Sequence, residues 1–158
     1  MRTARRHPLP LALALSLALA SCSPAAPTQL VVVVDTDLAI PGAIDAIVVE
    51  VMGPSGMRET ERATLADDEA LPLTLGVAPS GGSLGPIEVV ATARLGAGTV
   101  VERRHRVMLV EGETRTLIVH LTAECAARAT PCASGETCGE NGCVDVELEA
   151  GDLPAWTG

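Results

Sequence analysis

Ile87-Glu88-Val89-Val90-Ala91-Thr92-Ala93-Arg94-Leu95 is the stretch on which the fold turns. In an extended chain successive side chains point to opposite sides. Ile87, Val89, Ala91, Ala93 and Leu95 therefore share one face, opposite Glu88, Thr92 and Arg94. Gly96-Ala97-Gly98 turns the chain into a second run, Thr99 to Val110. Glu111-Gly112-Glu113 turns it again into Arg115 to Thr122, with Leu117, Val119 and Leu121 on one side.

The same grammar extends toward the N-terminus. Gly81-Gly-Ser-Leu-Gly-Pro86 is a loop, and before it Leu71, Leu73, Leu75 and Val77 alternate with Pro72, Thr74 and Gly76. Arg58 to Leu65 is polar and weakly alternating, which suits an edge strand or a short helix. Ile44 to Met52 is an apolar run closed by Gly53-Pro-Ser-Gly56, and Leu30 to Val34 is another, closed by Asp35-Thr-Asp37. Six or seven strands thus fall within Leu30 to Thr122, with turn signals at short intervals and no convincing helix. That count and spacing predict an all-β fold: an antiparallel β-sandwich of immunoglobulin-like or transthyretin-like type. Leu73, Leu75, Val89, Ala91, Leu117 and Val119 are its expected core.

The core must be aliphatic, because Tyr and Phe are absent and Trp156 is the sole aromatic residue. A chain so poor in aromatics also lacks the platforms on which sugars, bases and Pro-rich peptides usually stack. The net charge is −9. Lys is absent, and loss of Arg2, Arg5 and Arg6 would leave eight Arg against 20 acidic residues, a net −12. Such a surface repels phosphate backbones, so nucleic acid is not an expected partner.

The first residues carry an export signal. Arg2, Arg5 and Arg6 make a basic start, and Leu11 to Ala20 is an apolar run of ten, whereas a bilayer span takes about 20 residues. Leu19-Ala20-Ser21-Cys22 follows. It resembles the lipobox of bacterial lipoproteins, in which small residues precede a Cys that receives fatty acyl chains such as palmitate and becomes the new N-terminus. The resemblance covers the first 22 residues. The competing reading is ordinary cleavage after Ala18-Leu19-Ala20, with Cys22 left as a free thiol. Cysteine parity favours lipid: of five Cys, four lie together near the C-terminus and can pair, and Cys22 is left over. Ser23 follows Cys22. By resemblance to enterobacterial sorting, where Asp at that position retains a lipoprotein at the inner membrane, Ser implies the outer membrane of a Gram-negative envelope.

The remaining cysteines are spaced Cys125-x6-Cys132-x5-Cys138-x4-Cys143. Gly135 and Asn141-Gly142 supply tight turns. So short a segment cannot bury a core and needs covalent links. Zinc sites favour closer Cys-x2–4-Cys pairs, and export favours disulfides. Three disulfide pairings are open. Cys132-Ala-Ser-Gly-Glu-Thr-Cys138, with Cys143-Val144, resembles the short Cys-x-x-Gly-x-x-Cys modules that follow other domains in secreted proteins of myxobacterium type. Resemblance to small cystine modules implies pairing of first with third and second with fourth. The expected organisation is a signal peptide at 1–21, a lipidated Cys and Pro/Ala tether at 22–29, a sandwich at 30–122 and a Cys-rich unit with its tail at 123–158.

Chemistry is sparse elsewhere. Asp35, Asp37 and Asp45 lack the dense ligand spacing of a calcium loop and read as turn residues. Arg103, Arg104, His105 and Arg106 form the one basic cluster and are expected to pair with acidic strands. His120 reads as an exposed strand residue, and Trp156 as packed against the sandwich or the Cys-rich unit. Leu153-Pro-Ala-Trp-Thr-Gly158 has one residue too many for a sortase signal. No nucleophile elbow, zinc-protease helix or phosphate loop is legible. The expectation is a non-enzymatic lipoprotein, without metal or cofactor, tethered to a membrane as a structural or protein-binding module with an envelope protein as partner. The alternative is a small-ligand-binding accessory subunit of an envelope complex.

Overall fold

The computed structural model describes residues 27–66, 71–79 and 82–157. The export signal, Cys22 and the tether as far as Ala26 lie outside the described residues. Seven strands make the body: β1 (Gln29–Thr36), β2 (Ala46–Met52), β3 (Arg58–Thr64), β4 (Leu73–Val77), β5 (Ile87–Leu95), β6 (Gly98–Val107) and β7 (Thr114–Leu121). A one-turn helix, α1 (Ala123–Ala126), leads to a hairpin of β8 (Glu136–Gly139) and β9 (Gly142–Asp145), then to β10 (Glu147–Leu148) and a 3-10 turn at Ala150–Asp152.

The strands form two sheets that pack on each other, ordered β4-β1-β7 and β10-β6-β5-β2-β3. Hairpins build most of the second. Gly96, at φ +58°, allows the turn that joins β5 to β6 directly, and Gly56, at φ +78°, does the same between β2 and β3. Arg58 to Thr64 resolves as a strand, on the outer edge beyond β2. In the immunoglobulin order the first, second, fourth and fifth strands share a sheet. Here the first shares its sheet with the fourth and seventh, which leaves the transthyretin-like alternative. Among the described residues the pairing is antiparallel except in two places: β1 runs parallel to β7 from Gln29↔Thr114 to Thr36↔Leu121, and β10 runs parallel to β6.

The core lies between the sheets. Leu30, Val32, Val34, Leu117, Val119 and Leu121 from one meet Ile47, Val49, Val51, Val89, Ala91 and Ala93 from the other. β1 is the central strand of its sheet, and Val31, which points to the outer face, is also only 5% exposed. This explains why its apolar run is continuous rather than alternating. Of the expected core residues, Val89, Ala91, Leu117 and Val119 are buried. Leu73 and Leu75 are half-buried instead. They sit on β4, an edge strand that lines an open cleft rather than a closed interior.

The β4-β1-β7 sheet is narrower than its partner, and the C-terminal segment makes up the difference beside β6 and β7. Cys125, Ala150 and Leu153 join the core cluster. Along β6, the Arg104 N–H donates to Thr137 Oγ1 at 3.0 Å and the Arg106 N–H to the Val146 carbonyl at 2.7 Å. Along β7, the Thr116 N–H donates to the Pro154 carbonyl at 2.8 Å and the Trp156 N–H to the Thr114 carbonyl at 3.0 Å. One segment therefore covers an edge of each sheet.

Candidate functional site

The cystine unit is set by two short elements. Thr122 caps α1, its Oγ1 accepting the Cys125 N–H at 3.3 Å, and the helical turn points Cys125 into the core. The β8–β9 hairpin places Cys138 opposite Cys143, yet each bonds elsewhere. The disulfides are Cys125–Cys138 and Cys132–Cys143, the pairing the small cystine modules imply. All four thiols are consumed, so no thiolate set remains in this segment for zinc.

The basic cluster divides by strand parity. Arg104 and Arg106 face outward and pair as expected. Arg106 donates to Glu88 at 2.9 Å and to Glu147 at 2.8 Å, and these two bonds hold its pKa above the ordinary arginine value. Arg104 reaches Glu102 at 3.3 Å and Glu88 at 3.6 Å. Arg103 and His105 overturn the expectation. They fall in register with Ala91 and Val89 and turn inward, 9% and 4% exposed. Arg103 Nη1 donates to the His120 carbonyl at 3.0 Å, while its Nε has no partner. Burial lowers its pKa, against the attraction of Glu140. Neither ring nitrogen of His105 has a partner, and burial, helped by the Arg103 charge, brings its pKa down to about 4. The signal was present in the sequence: Val101 and Val107 frame the pair at even spacing.

The carboxylates near the β1–β2 loop are engaged by backbone. Asp35 accepts from Thr36 N–H, Asp37 from Ala123 N–H at 2.6 Å and Asp45 from Gly96 N–H at 2.8 Å. They fix chain ends rather than converge on one point. Among the described residues, no three His, Cys, Asp or Glu side chains gather as a metal site. His120 is half-buried rather than exposed, on the outer side of β7 in register with Asp35. Trp156 is in backbone register beside β7, but it remains 43% exposed.

Two clefts flank the sandwich. One, of about 200 Å³, opens between β3 and β4 and is lined by Val32, Val34, Ile47, Val49, Leu73 and Leu75. Small-molecule sites typically span about 300–1,000 Å³ with a few convergent polar groups, so this one is undersized. The other, of about 660 Å³, is a groove between β6 and the cystine unit. Its charged walls include Arg104 and Arg106, already bound to Glu88, Glu102 and Glu147.

The β4-β1-β7 sheet presents a different surface. Its outward positions are Gln29, Val31 and Val33 on β1, Thr74 and Gly76 on β4, and Thr116 and Ile118 on β7. The tail adds Pro154 and Trp156 beside Thr116 and Thr114. Ile118 is 48% exposed. The chain enters at the same end as Trp156: Thr114 Oγ1 donates to the Pro27 carbonyl at 3.1 Å and the Gly112 N–H to Thr28 Oγ1 at 2.8 Å. Compared with known proteins, the chain matches no family model, no curated protein and no solved structure.

Proposed function

We propose that this chain is a lipid-anchored protein of the bacterial cell envelope, held through Cys22 to the outer membrane, and that it serves there as a non-enzymatic structural or protein-binding module. The observation that carries this reading is the cysteine pairing. Cys125, Cys132, Cys138 and Cys143 satisfy one another in two disulfides. Cys22 alone has no cysteine left to pair with, and it stands where the lipobox resemblance puts the acylated residue. Disulfides also belong to an oxidising compartment. The non-enzymatic part draws support from the placement of the two described histidines. His105 is 4% exposed beside Arg103, out of reach of a substrate, and His120 is half-buried on the outer side of β7. The ligand-binding alternative has the β3–β4 cleft in its favour, but that volume admits only a fragment.

The test is metabolic labelling. A labelled fatty acid is expected to enter the wild-type chain and not Cys22→Ala, and membrane fractionation should retain only the former. Equal labelling of both, or a mature N-terminus at Ser21, would overturn the anchor.

A further inference from the structure

We infer that the outer face of the β4-β1-β7 sheet rests on the membrane surface, with Trp156 and Ile118 in the lipid interface, an inference that builds on acylation of Cys22. Three independent features converge on it. The first is reach. Cys22 and Pro27 are five residues apart, so their Cα atoms are separated by at most about 18 Å. Pro27 is hydrogen-bonded to Thr114, and Thr114 is bonded to Trp156. An acylated Cys22 therefore holds Trp156 close to the bilayer, where the tether makes even a weak surface contact effectively intramolecular.

The second feature is composition. A chain with 20 acidic residues has, on this face and among the described residues, none from Gln29 to Val33 on β1, from Thr74 to Gly76 on β4, from Thr114 to Ile118 on β7, or from Pro154 to Trp156. Asp35 and His120 mark the far end. The opposite face of the molecule carries Glu50, Arg58, Glu88, Glu102, Arg104 and Arg106 around Met52 and Val90. At the tether end, Glu113 is bonded to Arg115 at 2.7 Å, which leaves Glu111 as the exposed acid of the β6–β7 turn. That remaining charge favours zwitterionic lipid over anionic lipid.

The third feature is the tryptophan itself. An indole has an apolar body and a polar N–H, and it settles at membrane interfaces for that reason. The sole aromatic residue of the chain is held half-exposed on this face by a backbone hydrogen bond, next to the point where the anchor joins.

Because Trp156 is the only tryptophan, its fluorescence reports this contact alone. The acylated full-length protein is reconstituted into phosphatidylcholine and phosphatidylethanolamine vesicles, with and without phosphatidylcholine brominated on its acyl chains. Mass spectrometry of the same sample reads the acyl chains on Cys22. The expected result is blue-shifted emission that bromine quenches, and a marked loss of that quenching in Ile118→Glu, whose circular dichroism stays wild-type. Emission indifferent to bromine in a protein confirmed as acylated overturns the membrane contact and leaves the anchor standing. Quenching undiminished in Ile118→Glu overturns this face as the contact. An unmodified Cys22 overturns both the anchor and the contact.

Discussion

His105 occupies a position that strand alternation assigns to the core, between Val101, Arg103 and Val107 on one side of β6. A buried imidazole without partners costs free energy in either form, and more when charged. Its pKa is near 4 in the fold and about 6.5 in an unfolded chain. Between those values the unfolded state holds the extra proton, so this contribution is fully present above pH 6.5 and is lost as pH falls toward 4. The loss amounts to about 3 kcal/mol. Urea unfolding at pH 7 and pH 4.5 should show a smaller acid loss in His105→Leu than in wild type. Equal loss in both would refute the burial argument. The facing charge is Arg103 on the same strand, and Glu140 acts on Arg103 from the β8–β9 turn. The inward turn of Arg103 and His105 was legible in the sequence. A strand sends alternate residues to opposite faces, which sets Arg103 and His105 against Arg104 and Arg106, and the apolar flanks Val101 and Val107 mark which of the two faces is inward.

The strands themselves were the most readable elements, because each carries its own period of two. β5 buries Ile87, Val89, Ala91 and Ala93, and β7 buries Leu117, Val119 and Leu121, but Leu95, beyond the register shift at Ala93/Arg94, is 48% exposed. Pairing partners are another matter. The parallel match of β1 with β7 joins residues some 85 positions apart, as between Thr36 and Leu121, and no local pattern records it. The half-burial of Leu73 and Leu75 follows from the same gap: alternation gives the face, while an edge position decides how well that face is covered. The cystine segment was readable as disulfides but not as part of the wall of the sandwich. Its role there makes the two bridges unequal. Each closes a loop of roughly a dozen residues, worth about 3 kcal/mol of chain entropy. Cys125 is also buried in the main core, whereas Cys132–Cys143 lies at the surface of the unit. Replacing Cys132 and Cys143 by Ala should therefore cost less stability than replacing Cys125 and Cys138, as measured by denaturant midpoints. The reverse order would show that the unit folds independently of the core.

At the scale of the whole molecule, the sandwich is closed on one side and open on the other. On the open side the β3 edge is defended by composition, since Arg58-Glu-Thr-Glu-Arg62 is too charged and polar to recruit another strand readily, whereas the β4 edge, Leu73-Thr-Leu-Gly-Val77, carries no charge. Toward β6 and β7 the edges are covered by residues 137–156. Ending the chain after Asp145 keeps both disulfides but uncovers the Arg106 and Thr116 N–H groups. Sedimentation should then reveal self-association absent from the intact protein, and a monomeric truncation with wild-type stability would contradict the covering role. The parallel ladder has a separate, mechanical consequence. β1 is the first strand of the described chain, it is gripped by β7 along its whole length and by β4 along five residues, and its first peptide is pinned by Gln29 N–H to the Glu113 carbonyl. A pull on Pro27 directed along the strand loads these rungs together, in shear, instead of peeling them one after another. Tension between an anchored N-terminus and anything gripping the body would meet its resistance first in β1.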